Sequence, residues 1–209
     1  MLNEACNEAT GKPPPAPCSC PFQQRFAPHL DRIICLADYA PPLDQALGSL
    51  KFGQQAALGI SLGELLMQKL ARMPDSPLGS LDALIPVPLS GTRLAERGFN
   101  QSHQIARGMR TLPGHRLPAI QTGWLRRLRE TRPQSSLTAH ERERNLTGAF
   151  GASPRAAGKR IALIDDVMTT GSTLLAAAAA LKTAGATKVV ALVIARTPEH
   201  DHQAVATRS

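Results

Sequence analysis

The sequence predicts an α/β protein, a parallel β-sheet flanked by helices. Two features carry that expectation. Short apolar runs of strand length alternate with segments whose apolar residues recur at helical spacing, the pattern of buried strands joined by helical crossovers. The 209 residues, 43% of them hydrophobic, are also enough to close one sizeable core. Aromatic residues are only 3%, so that core is predicted to be Leu, Ile, Val and Ala.

Taken in order, residues 1–28 are Pro- and Cys-rich and irregular, a segment outside the periodic pattern. The domain is expected over 29–200, with 201–209 a polar tail. "RIICLADY" (32–39) has the composition of a strand. "PLDQALGSLKF" and "ALGISLGELLMQKLARM" read as helices, the second with Leu58, Leu62, Leu65, Leu66 and Leu70 on a helical repeat. "DALIPVPL" (82–89) is a short buried strand stopped by its prolines, and "NQSHQIARGM" is helical again. From 124 to 146 the chain is polar and strongly basic. Then follow the strand "RIALIDD", a helix from Ser172 to Ala184, and the strand "KVVALVIAR". Gly185 suits the helix end because glycine takes the left-handed conformation without steric cost.

Composition narrows the functional classes. No apolar run approaches the roughly 18 residues that span a bilayer, and the N-terminus lacks the basic and apolar regions of a secretory signal. The expectation is a cytoplasmic protein without membrane insertion. Lys plus Arg number 24 against 16 acidic residues, a formal charge of +8. That excess suits a polyanionic partner, whether a phosphorylated small molecule or nucleic acid, and equally suits plain solubility. The four cysteines are Cys6, Cys18, Cys20 and Cys35. Cys18 and Cys20 are the candidate zinc ligands, but "CSC" is not the CxxC knuckle, and a complete site needs Cys6 and a fourth ligand such as His29. Cys35, in an apolar run, reads as a buried structural thiol.

The chemistry concentrates in "IALIDDVMTTGST" (161–173). A strand end, a loop and a helix N-terminus are where open α/β sheets bind ligands, and helix N-termini attract phosphate. Thr169, Thr170, Ser172 and Thr173 supply hydroxyls, and Gly171 lets the backbone approach closely. These five residues form a candidate phosphate cradle. Asp165 and Asp166 cannot hold the phosphate, since like charges repel. They can accept hydrogen bonds from sugar hydroxyls beside it and favour a nearby Mg²⁺. A sugar diol carrying a 5′-phosphate fits the whole stretch. Neither a Walker loop nor a GxGxxG fingerprint is present.

This stretch resembles the phosphoribosyl-pyrophosphate (PRPP) signature of type I phosphoribosyltransferases, in the orotate-type version with Thr169. Purine-salvage enzymes of that fold usually carry an acidic residue there, so the resemblance argues against purine salvage. "LKF" (50–52), "LIPVPLSGTRLAERGFNQS" (84–102) and "TRPQSSLTAHERERNLTGAF" (131–150) are similar to one subfamily, the competence protein F (ComF/GntX) family. The resemblance implies a type I phosphoribosyltransferase-like sheet that binds PRPP and Mg²⁺, with a phosphoribosyltransferase activity releasing pyrophosphate. Family members commonly carry an N-terminal zinc ribbon, of which only Cys6 and the CxC remain here. The ribbon is degenerate, or its first half lies upstream.

In this fold the loop after "PVPL" contacts pyrophosphate. Arg93 is the better candidate there, through the forked donors of its guanidinium; Arg97, Asn100 and Gln101 could instead fix the turn and cap the next helix. Residues 131–146 correspond to a lid that closes over PRPP, from which Arg142 and Arg144 would meet the pyrophosphate; "HERERN" also reads as a solvated helix face. No catalytic base is identifiable. The family further implies a part in natural competence and DNA uptake, beside a helicase-like partner. "WLRRLRETR" is compatible with single-stranded DNA. A non-catalytic PRPP sensor or DNA-handling accessory protein is the alternative to an enzyme.

Overall fold

The computed structural model describes Phe26 and residues 29–52, 55–129 and 148–197. Four parallel strands form the main sheet, in the order β1–β6–β5–β2: β1 (Arg32–Asp38), β2 (Ala83–Pro86), β5 (Arg160–Met168) and β6 (Lys188–Arg196). Between β1 and β2 run α1 (Leu43–Phe52) and α2 (Ala56–Arg72). After β2 come α3 (Gly91–Arg97) and α4 (Gln101–Met109). A small antiparallel pair, β3 (Leu125–Arg127) with β4 (Phe150–Ala152), precedes β5, and α5 (Ser172–Thr183) joins β5 to β6. The predicted parallel sheet flanked by helices is the architecture observed.

Alternation along the central strands divides the core in two, because successive strand side chains point to opposite faces. Ile161 and Leu163 of β5, with Val189, Ala191 and Val193 of β6, join the cluster that contains Leu174, Ala177, Ala178 and Leu181 of α5. Ala162 and Ile164, with Val190, Leu192 and Ile194, join the cluster formed by α1, α2 and α4. The sheet is thus covered on both faces, as the continuous apolar character of β5 and β6 requires.

Helix α5 is alanine-rich, which favours helix and lets it lie close to the sheet. It ends in a Schellman arrangement: Gly185 (φ 91°) donates to the Lys182 carbonyl at 2.9 Å, and Ala186 N donates to the Leu181 carbonyl at 3.0 Å. Helices α2 and α4 approach so closely that a Cβ on Gly63 would collide with the Ile105 carbonyl oxygen, and one on Gly108 with that of Ile60. This contact fixes α4 against α2. Strand β2 carries Pro86 at its end, and its outer edge is bridged by the returning chain, with Gln121 N donating to the Leu84 carbonyl at 2.8 Å.

Two differences from the sequence reading concern the basic stretch. Its first part is strand β3, and Trp124, half-buried, packs one side against the core. Arg127 lies 5.3 Å over the Phe150 ring, which ties it to the hairpin. Arg126 and Arg129 remain exposed. Cys35 is half-buried and its thiol is free, and burial pushes its pKa up to about 11. Among the described residues no helix is long and apolar enough to cross a membrane. Cys6, Cys18 and Cys20, with Arg142, Arg144 and the rest of the expected lid, lie outside the described residues.

Candidate functional site

The site is built where β5 hands the chain to α5. A nine-residue strand brings Asp165 and Asp166 to the carboxyl edge of the sheet, where the apolar run ends. The loop then turns through Gly171, the N-cap of α5, at φ 73°. Only glycine suits this position: the conformation is left-handed, and an added Cβ would collide with the Phe26 ring. Gly171 offers no side-chain acceptor, so no N-cap side chain covers the first turn of α5.

A cavity of about 40 Å³ opens at this point, lined by Asp165, Thr169, Gly171, Ser172 and Thr173. Thr170 belongs to the predicted cradle but does not line the cavity. Its hydroxyl lies 2.9 Å from Ser172 Oγ and accepts from Ser172 N at 3.4 Å, bracing the residue that begins the helix. The arrangement presents hydroxyls and the positive end of a helix to one small space, which suits an anion.

The two acids occupy different surroundings. Asp165 Oδ1 accepts from Ser102 Oγ on α4 at 3.0 Å and from Asp166 N at 3.0 Å. Burial first, and then the charge of Asp166, push the Asp165 carboxyl from its ordinary value up to about 7; those two bonds and the charge of Lys51 act in the opposite direction. Asp166 is 9% exposed. Its Oδ1 accepts from Val167 N at 2.8 Å, and its Oδ2 pairs with Lys51 Nζ on α1 at 3.2 Å. Elements β5, α4 and α1 therefore meet at the diacid.

Helix α3 brings the arginines. Ser90 caps it, its hydroxyl accepting from Arg93 N at 3.4 Å. Arg93 is half-exposed, and Arg97 follows one helical turn later on the same side. Burial lowers the Arg97 pKa, and its charge lies within electrostatic reach of both Asp166 and Arg93. Asn100 acts as the helix cap the sequence suggested, with Oδ1 accepting from His103 N at 3.3 Å while Nδ2 donates to the Val87 carbonyl at 2.9 Å. Gln101 is 1% exposed.

A larger cavity, about 400 Å³, lies at the end of β2 against α3 and α4. Pro86, Pro88, Leu94 and Phe99 give it apolar walls, and His103, Gln104 and Thr122 give it polar ones. No charged side chain lines it. Burial, then the charge of Arg107, lower the His103 pKa, so its imidazole is neutral at pH 7.

Lys51 and Ser102 had no role in the sequence reading, although both sit in stretches singled out there. Each reaches the acids through the tertiary fold, Ser102 across 63 residues of chain. As to metal, no group of three or more His, Cys, Asp or Glu among the described residues is arranged to hold an ion. The two carboxylates alone suit a Mg²⁺ that brings most of its oxygen ligands with it.

The model of the phosphoribosyl transferase domain family matches residues 62–207. The chain is 33% identical over 185 residues to the DNA utilization protein YhgH of Salmonella typhi, covering 88% of this chain and 79% of that protein. It is 32% identical over 152 residues to competence protein F of Haemophilus influenzae, covering 70% and 65%. A solved structure, the glutamine PRPP amidotransferase from B. subtilis complexed with ADP and GMP, overlaps 67% of this chain and 26% of that one, with 20% identity and a TM-score of 0.41. With a family match across most of its length and relatives above 30% identity, the chain belongs to the ComF family of proteins with the phosphoribosyltransferase fold.

Proposed function

We propose that this chain binds PRPP with Mg²⁺ at the carboxyl end of β5 and transfers its phosphoribosyl group, releasing pyrophosphate. The observation that supports this best is the convergence of Asp165 with the hydroxyl-lined, uncapped start of α5 on one small cavity. In this reading the ribose hydroxyls donate to Asp165 and Asp166, and the 5′-phosphate accepts from Ser172, Thr173 and the first amides of α5. Arg93 and Arg97 offer forked donors to the pyrophosphate from one side of α3. Mg²⁺ supplies neutralisation of pyrophosphate charge, with the diacid as its contact on the protein.

The C1′–O bond to pyrophosphate breaks with its electron pair leaving on the pyrophosphate, and the lone pair of the acceptor forms the new bond at C1′. The contribution of the chain is positional and electrostatic. The 400 Å³ cavity at the end of β2, against α3 and α4, is the place for the acceptor in this reading. Its uncharged lining favours a neutral molecule that hydrogen-bonds through His103 and Gln104.

Calorimetry with PRPP and Mg²⁺ tests the binding step. Saturable binding by wild type, weakened at least about tenfold in Asp166→Asn, supports it; a folded wild type that takes up no PRPP refutes it. Pyrophosphate release on adding candidate acceptors then separates an enzyme from a PRPP sensor.

The printed names of the relatives, "DNA utilization protein" and "competence protein F", support a second, compatible reading in which this activity serves the handling of incoming DNA. Exposed Arg126 and Arg129 are the phosphate contacts in that reading, beside the half-buried Trp124. Single-stranded DNA binding that falls when both arginines become Ala, and weakens with salt, supports it. Binding indifferent to both changes overturns it.

A further inference from the structure

Three of the four oxygens of the diacid are already engaged among the described residues. Asp165 Oδ1 receives Ser102 Oγ and Asp166 N, Asp166 Oδ1 receives Val167 N, and Asp166 Oδ2 receives Lys51. The lysine is the only one of these partners that carries charge. Its side chain is 24% exposed and that of Asp166 13%, so the pair is largely withdrawn from water and each half needs the other.

The position of Lys51 is set by packing. It stands in the last turn of α1, where a helix end favours a cation. Neighbouring Leu50, and Leu47 one turn earlier, are both fully buried in the core, so the stem of Lys51 starts from a fixed point. Arg97 adds a second positive charge within electrostatic reach of Asp166. A bare divalent cation approaching the diacid thus meets one unengaged carboxylate oxygen and two cations, whereas Mg²⁺ demands six oxygens in near-ideal geometry and dehydrates reluctantly.

We propose that Lys51 is the built-in counter-ion of the diacid: in the ligand-free protein it stands at Asp166 in place of a divalent cation, so that Mg²⁺ enters only on the anionic ligand. The second half of this statement rests on the PRPP reading given above; the first half stands without it. Lys51 is a positioning residue, acting through Asp166. A purely structural ion pair that fastens α1 to β5 would predict lost stability on its removal and nothing more. A counter-ion predicts that its removal creates a metal site.

The test is titration of ligand-free protein with Mn²⁺, followed by electron paramagnetic resonance, on wild type, Lys51→Arg, Lys51→Met and Lys51→Met/Asp166→Asn. Wild type and Lys51→Arg are expected to bind weakly and alike. Lys51→Met should bind at least about tenfold more tightly than wild type, and the added Asp166→Asn should abolish that gain. Should Lys51→Met not fold, Lys51→Gln takes its place, keeping a donor toward Oδ2 without the charge. Wild type binding Mn²⁺ as tightly as the folded uncharged variant overturns the proposal, as does a gain that survives Asp166→Asn. Repeating the wild-type titration with PRPP present tests the second half: Mn²⁺ uptake should tighten at least about tenfold. If PRPP itself does not bind, that half falls with the PRPP reading while the ligand-free comparison still decides the role of Lys51.

Discussion

Asp165→Asn should make the ligand-free protein more stable above neutral pH, not less. The Asp165 titration lies at about 7 instead of 3.8, which corresponds to about 4 kcal/mol between the protonated and ionised forms of the folded site. Part of that belongs jointly to Asp165 and Asp166, so about 4 kcal/mol is an upper bound for the single substitution. The sign follows from the folded-state pKa being the higher one. The carboxyl contributes its full stability below about pH 4, where both states bind the proton, and loses that contribution as pH rises to about 7. Asparagine keeps the shape, and its Oδ1 can still accept from Ser102 Oγ and Asp166 N, but it has no proton to lose. Urea denaturation midpoints at half-unit steps from pH 4.5 to 8.5 measure the difference. Wild type should lose stability relative to Asp165→Asn across the window from about 4 to 7, with the gap constant above it. Parallel profiles, or a wild type that gains on the variant as pH rises, would refute the idea that burial and the second acid burden this carboxylate.

Other substitutions probe the frame around the diacid. Ser102→Ala removes a hydroxyl that favours the ionised form of Asp165, so the Asp165 carboxyl carbon should titrate at a higher pH by NMR than in wild type. Gly171→Ala forces a Cβ into the Phe26 ring at φ 73°; it should cost about 1–3 kcal/mol of stability by urea denaturation. Gly63→Ala drives a Cβ into the Ile105 carbonyl oxygen across the α2–α4 contact. A loss of at least about 1–3 kcal/mol is expected by thermal unfolding, and unchanged stability would mean that the two helices can move apart freely.

The parts of the fold legible in the sequence are those whose signals are local and repeated. Strands β5 and β6 are built on the apolar runs 161–164 and 189–195, and Ala184–Gly185 marks the end of α5 with a conformational requirement that few residues meet. The loop chemistry from Asp165 to Thr173 is contiguous, so its polar character could be read directly. Strand β3 offered no such signal. Three residues, two of them arginine, show no period, and its partner β4 begins 23 residues later, at Phe150, a separation at which strand pairing leaves no mark in the sequence. The glycines of α2 and α4 looked locally like weak helix formers; only the packed pair shows that Gly63 and Gly108 are there to let backbones touch.

The surroundings of the diacid were illegible for the same reason, and they alter what the acids mean. In the sequence Asp165 and Asp166 are equivalent neighbours. In the fold they separate: one is held by a hydroxyl and an amide and titrates near neutrality, and the other is paired with a lysine. A protein selected for stability alone would replace either acid, since burying two carboxylates side by side is costly and one lysine offsets only part of it. Beside the positive end of α5, the proposed ligand, with its hydroxyls and its cation, would compensate both charges at once. On this argument the ligand-free site is the strained state, and any molecule that satisfies both acids should stabilise the protein most above pH 7, where Asp165 is ionised in the folded chain, and progressively less toward pH 5.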